Sequence, residues 1–451
     1  DSVASRGLGD VYKRQALFVS TGLMLFALFF GAGNLIFPAH MGQQAGANYL
    51  EAVMGFVLTG AGLPLLGILA MSYSGARDVQ HLASRVSPLF GVFFAVTLYL
   101  SIGPLFAMPR TATVAYEVGV SPYLGSETSS TWGLLLFSIV FFAVAFWLAM
   151  SPSKLLDRIG KILTPVLLVS IAILAFKSLL DPMGELTAPQ GAYAVHPVVE
   201  GFLAGYQTMD ALASLVFAIV VIGVLQAEGV KANEQLMRLT MGAGLLAALC
   251  LAVVYGLVTY LGAGSVEVTG WLSNGAAVLS ETAHYYWGSM GNLLLLVIIL
   301  LACLSTAVGL IAACAEYFSR LMPQLSYKLF VIIFTLISCG LANKGLEGII
   351  NFSIPVLMLL YPLTVVLILL TFANSLFKGR RIVYICTMLA TLAVSLLDAW
   401  DAAFTLSPEA KAWLASYLPW HAIGLGWIVP ALLGMLVGLI LSAAGLKKTV
   451  S

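Results

Sequence analysis

Apolar runs, most of them about twenty residues or longer, follow one another along this sequence with only short polar segments between them. An α-helix needs about 20 residues to cross roughly 30 Å of hydrocarbon, so this one feature leaves few folds open. The runs fall at 17–45, 50–73, 88–118, 131–150, 162–180 and 198–226, and then at 236–263, 289–318, 327–343, 347–373, 380–398 and 421–444. The composition agrees, with 61% hydrophobic and 9% charged residues against roughly 25% charged in soluble domains. A chain so poor in charge cannot cover a water-facing surface of ordinary size. That excludes a soluble enzyme, a nucleic-acid binder and a disordered protein. An outer-membrane barrel is excluded too, because its strands alternate apolar and polar residues. The reading is an all-α polytopic membrane protein with twelve transmembrane helices, its partner being the lipid bilayer.

Loop charges test that count independently. An even number of spans puts both termini on one side, and that side then carries Arg6, Lys13, Arg14, Arg77, Arg85, Lys154, Arg158, Lys161, Lys231, Arg238, Arg320, Lys328, Lys378, Arg380, Arg381, Lys447 and Lys448. The other side holds Lys177, Lys344 and Lys411, and Arg110 lies inside a span. Positive loops face the cytoplasm, so both ends are expected to be cytoplasmic. Residues 1–15 are polar, show no apolar periodicity and lack an initiator Met; they read as a non-native or disordered leader, with 16–451 as one transmembrane domain. The stretch 264–288 has no Lys or Arg and reads as a structured external loop over the mouth of the protein. Cys250, Cys303, Cys314, Cys339 and Cys386 all sit in apolar runs without metal-ligand spacing, and read as small core residues.

Two spans carry interruptions. The first holds Gly31-Ala32-Gly33-Asn34 at mid-membrane, and the sixth holds Gly205-Tyr206-Gln207-Thr208-Met209-Asp210-Ala211. Gly-x-Gly in a membrane helix can serve close packing, or it can mark broken backbone, which is tolerated only where it lines a buried cavity. A carboxylate at mid-bilayer costs several kcal/mol and calls for a partner or a function. An offset of five helices reverses direction across the membrane. The two halves, about 17–180 and 198–373, are therefore expected to form a 5+5 inverted repeat with two discontinuous helices. The helices in about 380–444 are additions. Paired interruptions of this kind point to a central binding site.

Three motifs together, Gly31-Ala32-Gly33-Asn34-Leu35-Ile36-Phe37-Pro38, Gly103-Pro104-Leu105-Phe106-Ala107-Met108-Pro109-Arg110-Thr111-Ala112, and Gly205-Tyr206-Gln207-Thr208-Met209-Asp210-Ala211, resemble those of bacterial branched-chain amino acid carriers. The resemblance runs from about residue 16 to the C-terminus. It implies a multi-pass protein of the bacterial inner (cell) membrane with a leucine-transporter-like fold, importing leucine, isoleucine or valine with a cation.

On that reading the N–H groups of Gly31, Ala32, Gly33 and Asn34 meet the substrate carboxylate. Carbonyls near Thr208, Met209 and Ala211, together with Asp210, meet its ammonium; for Asp210 a buried structural hydrogen bond is the rival role. Carried over from relatives of this fold, the carbonyls of Ala27, Phe30 and Ala302 and the hydroxyls of Ser305 and Thr306 are candidate sodium ligands. Hydroxyls in an apolar helix also commonly bond back to the preceding turn. Tyr99 is either a packed aromatic or a hydroxyl donor to the carboxylate. Arg110 and Glu117 share a face of helix three, which makes Arg110 an internal salt-bridge or gate residue. His196, His284 and His421 form no metal-binding pair.

One cation moving down 100 mV supplies about 2.3 kcal/mol, near fifty-fold accumulation at about 1.36 kcal/mol per decade. No Gly-x-x-x-x-Gly-Lys-Ser/Thr loop is present, so neither ATP nor an ATPase subunit is expected to drive the chain, and sodium stands as coupling ion with no other cofactor. Proton coupling, another small neutral solute, and a passive channel are the alternatives. An enzyme is disfavoured, because the spans hold too few acids and histidines.

Overall fold

A computed structural model of the protein describes residues 17–121, 127–150, 155–230 and 233–444. The expected leader, with Arg6, Lys13 and Arg14, lies outside the described residues, as do Lys154, Lys231, Lys447 and Lys448. The chain's regular secondary structure is helical, without a strand among the described residues. In order the helices are α1 (Leu17–Phe29), α2 (Gly33–Ala45), α3 (Tyr49–Val57), α4 (Leu63–Ser74), α5 (Val79–Ala83), α6 (Pro88–Leu100), α7 (Ala107–Gly119), α8 (Glu127–Ala149) and α9 (Leu155–Leu180). They continue as α10 (Pro197–Tyr206), α11 (Asp210–Ala227), α12 (Asn233–Ala263), α13 (Val266–Thr269), α14 (Gly275–Leu321), α15 (Tyr327–Ala342), α16 (Gly345–Phe372), α17 (Arg381–Phe404), α18 (Pro408–Tyr417) and α19 (Ile428–Ala443).

Among the described residues, seven helical runs are long and apolar enough to cross a membrane. The pair α10 and α11 makes an eighth span, bent by 48°. Shorter apolar helices stand at Leu17–Phe29, Leu168–Leu180, Tyr327–Ala342 and Ile428–Ala443. Leu136, Trp147, Met290 and Leu336 stand more than 60% exposed on the outside, a surface that suits lipid rather than water.

The two interruptions in the sequence are breaks in the structure. Backbone from Phe30 to Ala32 is non-helical between α1 and α2, and Gln207 to Met209 separates α10 from α11. Glycine costs about 1 kcal/mol in a helix relative to alanine, so Gly31 and Gly33 weaken the first span where it opens. The second break turns on Met209, a buried non-glycine residue with φ +63°, a left-handed geometry that costs of order 1–3 kcal/mol and persists only where the surroundings hold it.

A third irregularity differs from the sequence expectation of a continuous helix three. The backbone between α6 and α7 widens into a π-turn at Ser101–Leu105, with Gly103 non-helical. Pro104 explains it, since proline has no N–H to donate and its ring clashes with the preceding turn. Two further boundaries shift. The stretch 264–288, expected as an external loop, contains α13 and the first part of α14, which turns at Gly288, φ +58°. The last apolar helix starts at Ile428 rather than 421, because Trp420 and Gly424 are both left-handed around a short 3₁₀ turn.

Each broken span packs closely on a neighbour. A Cβ added to Gly42 of α2 would collide with the Thr259 carbonyl of α12, and one on Gly262 of α12 with the Ala39 carbonyl of α2. The same reciprocal contact joins Gly55 of α3 to Val198, and Gly201 of α10 to Ala52. Main chain touches main chain at both places, so a side chain there cannot be absorbed by a rotamer change. Gly42→Val should therefore cost about 1–3 kcal/mol and lower the melting temperature of the detergent-purified protein by several degrees. Gly256→Ala, placed in open space on the same helix α12, should leave it unchanged or slightly higher; equal losses for the two would contradict the close crossing.

Candidate functional site

The first break is held by a side chain from its own far edge. Asn34 Oδ1 accepts the Gly31 N–H at 3.0 Å, and the Asn34 N–H returns to the Gly31 carbonyl at 3.2 Å. The sequence reading left all four N–H groups from Gly31 to Asn34 open, and the structure corrects it. Of these four N–H groups, those of Gly31 and Asn34 are paired, whereas those of Ala32 and Gly33 have no acceptor among the described residues. Gly31 is satisfied because a buried amide in the middle of a membrane is expensive to leave unpaired.

Asn34 also ties the two breaks together. Its Nδ2 donates to Asp210 Oδ2 at the start of α11 and to the Tyr255 hydroxyl on α12 at 2.6 Å. The Tyr255 hydroxyl lies 3.2 Å from both Asp210 Oδ2 and the Gly60 carbonyl, and donates to one at a time. Gly60 belongs to a π-turn at Leu58–Gly62, where a widened helix frees its carbonyl for an outside donor. Asn34, Asp210 and Tyr255 are all buried, so Asp210 has the structural hydrogen bonds that were one of its two expected roles. Both fall on Oδ2, which leaves Oδ1 with capacity for a further donor. Tyr255 escaped the sequence reading, since a lone tyrosine in an apolar helix carries no spacing signal.

At the second break, Thr208 Oγ1 donates to the Gly205 carbonyl at 2.9 Å and accepts the Asp210 N–H at 3.3 Å. The Thr208 carbonyl was expected to be open. Instead Arg110, reaching over from α7, donates Nη1 to the Gln207 carbonyl at 2.7 Å and Nη2 to that of Thr208 at 3.4 Å. Among the described residues Arg110 has no salt bridge, so the internal ion pair expected for it is replaced by carbonyls and by the Phe37 ring, 5.1 Å from the guanidinium carbon. Its placement follows from the π-turn at Gly103-Pro104, a signal visible in the sequence but read there only as part of a motif. Tyr99 stacks on Tyr317 at 4.1 Å, away from the breaks, as a packed aromatic.

A small cavity of about 40 Å³ lies between the breaks. Gly31, Ala32, Gly33 and Asn34 reach it from one, and Thr208, Met209 and Asp210 from the other. Arg110 and Thr111 come from α7 and Thr306 from α14, while Phe29, Ile102, Phe217 and Leu310 supply apolar wall. Ala211 is fully buried and not part of the lining. Larger hollows beside α9 and α12 are walled by apolar residues such as Val169, Ala172 and Leu257, with little chemistry to offer.

Of the candidate cation ligands, Thr306 stands beside the first break: a Cβ on Gly31 would be 3.5 Å from its Oγ1. Ser305 Oγ donates to the Ala302 carbonyl at 2.9 Å, which puts those two oxygens side by side and matches the back-bonding alternative. Among the described residues the carbonyls of Ala27 and Phe30 receive no hydrogen bond, because the N–H groups that would reach them in a continuous helix are diverted or displaced.

A multi-span helical protein with two broken helices around a central cavity has the build of a transport protein, not an enzyme. The sequence profile of the family described as branched-chain amino acid transport protein matches residues 14–444, and the chain belongs to that family. It is 47% identical to the branched-chain amino acid permease BraB of Bacillus subtilis (strain 168), over 93% of this chain and 94% of that one. It is 40% identical to the branched-chain amino acid transport system 2 carrier protein of Pseudomonas aeruginosa, over 94% and 95% of the two chains. Among solved structures it resembles MHP1, a nucleobase-cation-symport-1 family transporter with bromovinylhydantoin bound, at a TM-score of 0.58 and 15% identity over 89% of this chain and 93% of that one. It also resembles MhsT in complex with L-phenylalanine, at a TM-score of 0.55 and 16% identity over 94% and 97%. At such identities these two likenesses bear on the fold alone.

The hydrogen-bond network makes a direct prediction. Asn34→Ala strands the Gly31 N–H and removes two donors, and each stranded buried group costs about 1–3 kcal/mol. Tyr255→Phe removes a single hydroxyl. Asn34→Ala should therefore lower the melting temperature clearly more than Tyr255→Phe, and equal small shifts would mean that Asn34 does not hold the break.

Proposed function

We propose that this chain is a secondary transporter that carries branched-chain amino acids into the cell together with a cation, sodium rather than a proton. The observation that carries this reading is the pairing of two helix breaks on one cavity, the first bringing the free N–H groups of Ala32 and Gly33 and the second bringing Asp210. A zwitterion with an aliphatic side chain needs such polar main chain and carboxylate beside apolar wall. Membership of the family, and relatives whose names specify branched-chain amino acids, support the cargo.

On this reading the chain has twelve spans, both termini are cytoplasmic, and the first ten spans form two inverted repeats in a bacterial cell membrane. The packing supports the repeat: α2 of the first broken span lies on α12, and α10 and α11 of the second lie on α3 and α4, so each broken helix leans on the helix that follows its counterpart. Sodium would take the carbonyls of Ala27, Phe30 and Ala302 and the hydroxyls of Ser305 and Thr306, an all-oxygen, uncharged set suited to a hard monovalent cation. Proton coupling through Asp210 is the second reading, favoured by the burial of that carboxylate.

Uptake of labelled leucine into proteoliposomes under imposed gradients separates the two. The expected outcome is accumulation that follows sodium and is competed by isoleucine and valine. Thr306→Ala should raise the sodium concentration for half-maximal uptake about tenfold, the equivalent of about 1.4 kcal/mol, with a smaller change in leucine dependence. Uptake that ignores sodium and follows the proton gradient would overturn the assignment of Ser305 and Thr306 as sodium ligands.

A further inference from the structure

Arg110 carries more capacity than its structural contacts consume. A guanidinium has five N–H donors, and the protein takes two of them, at the Gln207 and Thr208 carbonyls. The side chain is only 4% exposed, so the remaining donors cannot be hydrated freely, and a buried cation without compensation is costly. The group stands at the cavity wall, where Arg110 and Asp210 are the two charged residues of the lining.

The guanidinium also lies against the unpaired main chain of the first break. A Cβ placed on Gly33 would be 2.9 Å from Arg110 Nη2 and 3.4 Å from Cζ. Glycine at this position is what lets the cation approach the free N–H groups of Ala32 and Gly33. The guanidinium and the main-chain N–H groups of Ala32 and Gly33 are therefore neighbours in the lining of the cavity, which Asp210 also joins. Planar bidentate donors of this sort match a carboxylate better than a point charge does.

We propose that Arg110 binds the substrate carboxylate, together with the Ala32 and Gly33 N–H groups, and so makes the site selective for amino acids over their uncharged derivatives. The inference rests on the branched-chain reading given above and assigns its carboxylate to a side chain. Asp210, the other charged residue of the lining, is left to meet the ammonium, and the small cavity must widen to admit the zwitterion. The two carbonyl contacts hold the guanidinium flat against the second break, which pre-organises it and limits the freedom lost on binding.

The test compares leucine with leucinamide, which keeps the ammonium and the side chain but has no carboxylate. Binding of both to the full-length protein in detergent is measured by calorimetry at about pH 6.5, below the range of roughly 7.7–8.0 in which an α-amino group titrates. The wild type should prefer leucine by about ten- to hundredfold, the worth of a hydrogen-bonded charge. In Arg110→Met the preference should collapse to within about threefold, with leucine losing most of the affinity and leucinamide little. Arg110→Lys should retain part of the preference.

Gly33→Ala supplies a variant that keeps the cation and crowds its tip and the Phe37 ring; it should show the same collapse, with a smaller loss of melting temperature than Arg110→Met. If both ligands weaken in parallel and the preference survives in Arg110→Met and Gly33→Ala, Arg110 only positions the second break and the proposal is overturned. A wild type that binds neither ligand sinks the branched-chain reading itself, whereas one that binds leucine and keeps its preference in both variants sinks this assignment alone.

Discussion

A peptide group without a partner in hydrocarbon costs several kcal/mol, and the chain opens its helices at two places deep in an apolar bundle. The rest of the structure answers that constraint. Asn34 takes the Gly31 N–H, Thr208 takes the Asp210 N–H, and Arg110 takes the Gln207 carbonyl. What remains unpaired at the first break is the N–H groups of Ala32 and Gly33, which line the cavity, and the carbonyls of Ala27 and Phe30 beside it. A ligand that completes those groups recovers part of the cost of breaking the helix. The cavity is thus a consequence of how the breaks are satisfied.

The polar side chains that stabilise the breaks also connect separate parts of the bundle. Asn34, Asp210, Tyr255 and the Gly60 carbonyl join α2, α11, α12 and the π-turn between α3 and α4. Networks of this kind are stabilising only when fully satisfied, and this one leaves spare capacity at the carboxylate alone. The Gly42–Gly262 and Gly55–Gly201 crossings bring main chains into contact beside it. Rigid crossings around hinged breaks are what a rocking or gating motion about a fixed site requires.

Much of this was legible in the residues. The apolar runs placed most helices within a few positions, with larger shifts at the starts of α9, α14 and α19, and Gly31-Ala32-Gly33 and Gln207-Thr208-Met209 placed both breaks, because glycine and a stranded acid mark weak or costly backbone wherever they occur. Two features were not legible. Which N–H groups stay open depends on where the Asn34 side chain turns, and periodicity says nothing about a rotamer. Tyr255 and the Gln207 carbonyl come together with their partners only through packing between helices distant in sequence. Arg110 shows the intermediate case: its isolation in an apolar span announced a partner, but the nearby Glu117 suggested the wrong one, and the π-turn at Ser101–Leu105 aims it elsewhere.

Hydrogen–deuterium exchange at the breaks, with and without leucine, tests the central claim most directly. In the free protein the amides of Ala32 and Gly33 should exchange far faster than those of Leu35 to Ala39, and saturating leucine with sodium should slow them while leaving the middle of α12 unchanged. Amides at 32 and 33 that exchange as slowly as the helices on either side, or that leucine leaves untouched, would contradict the account.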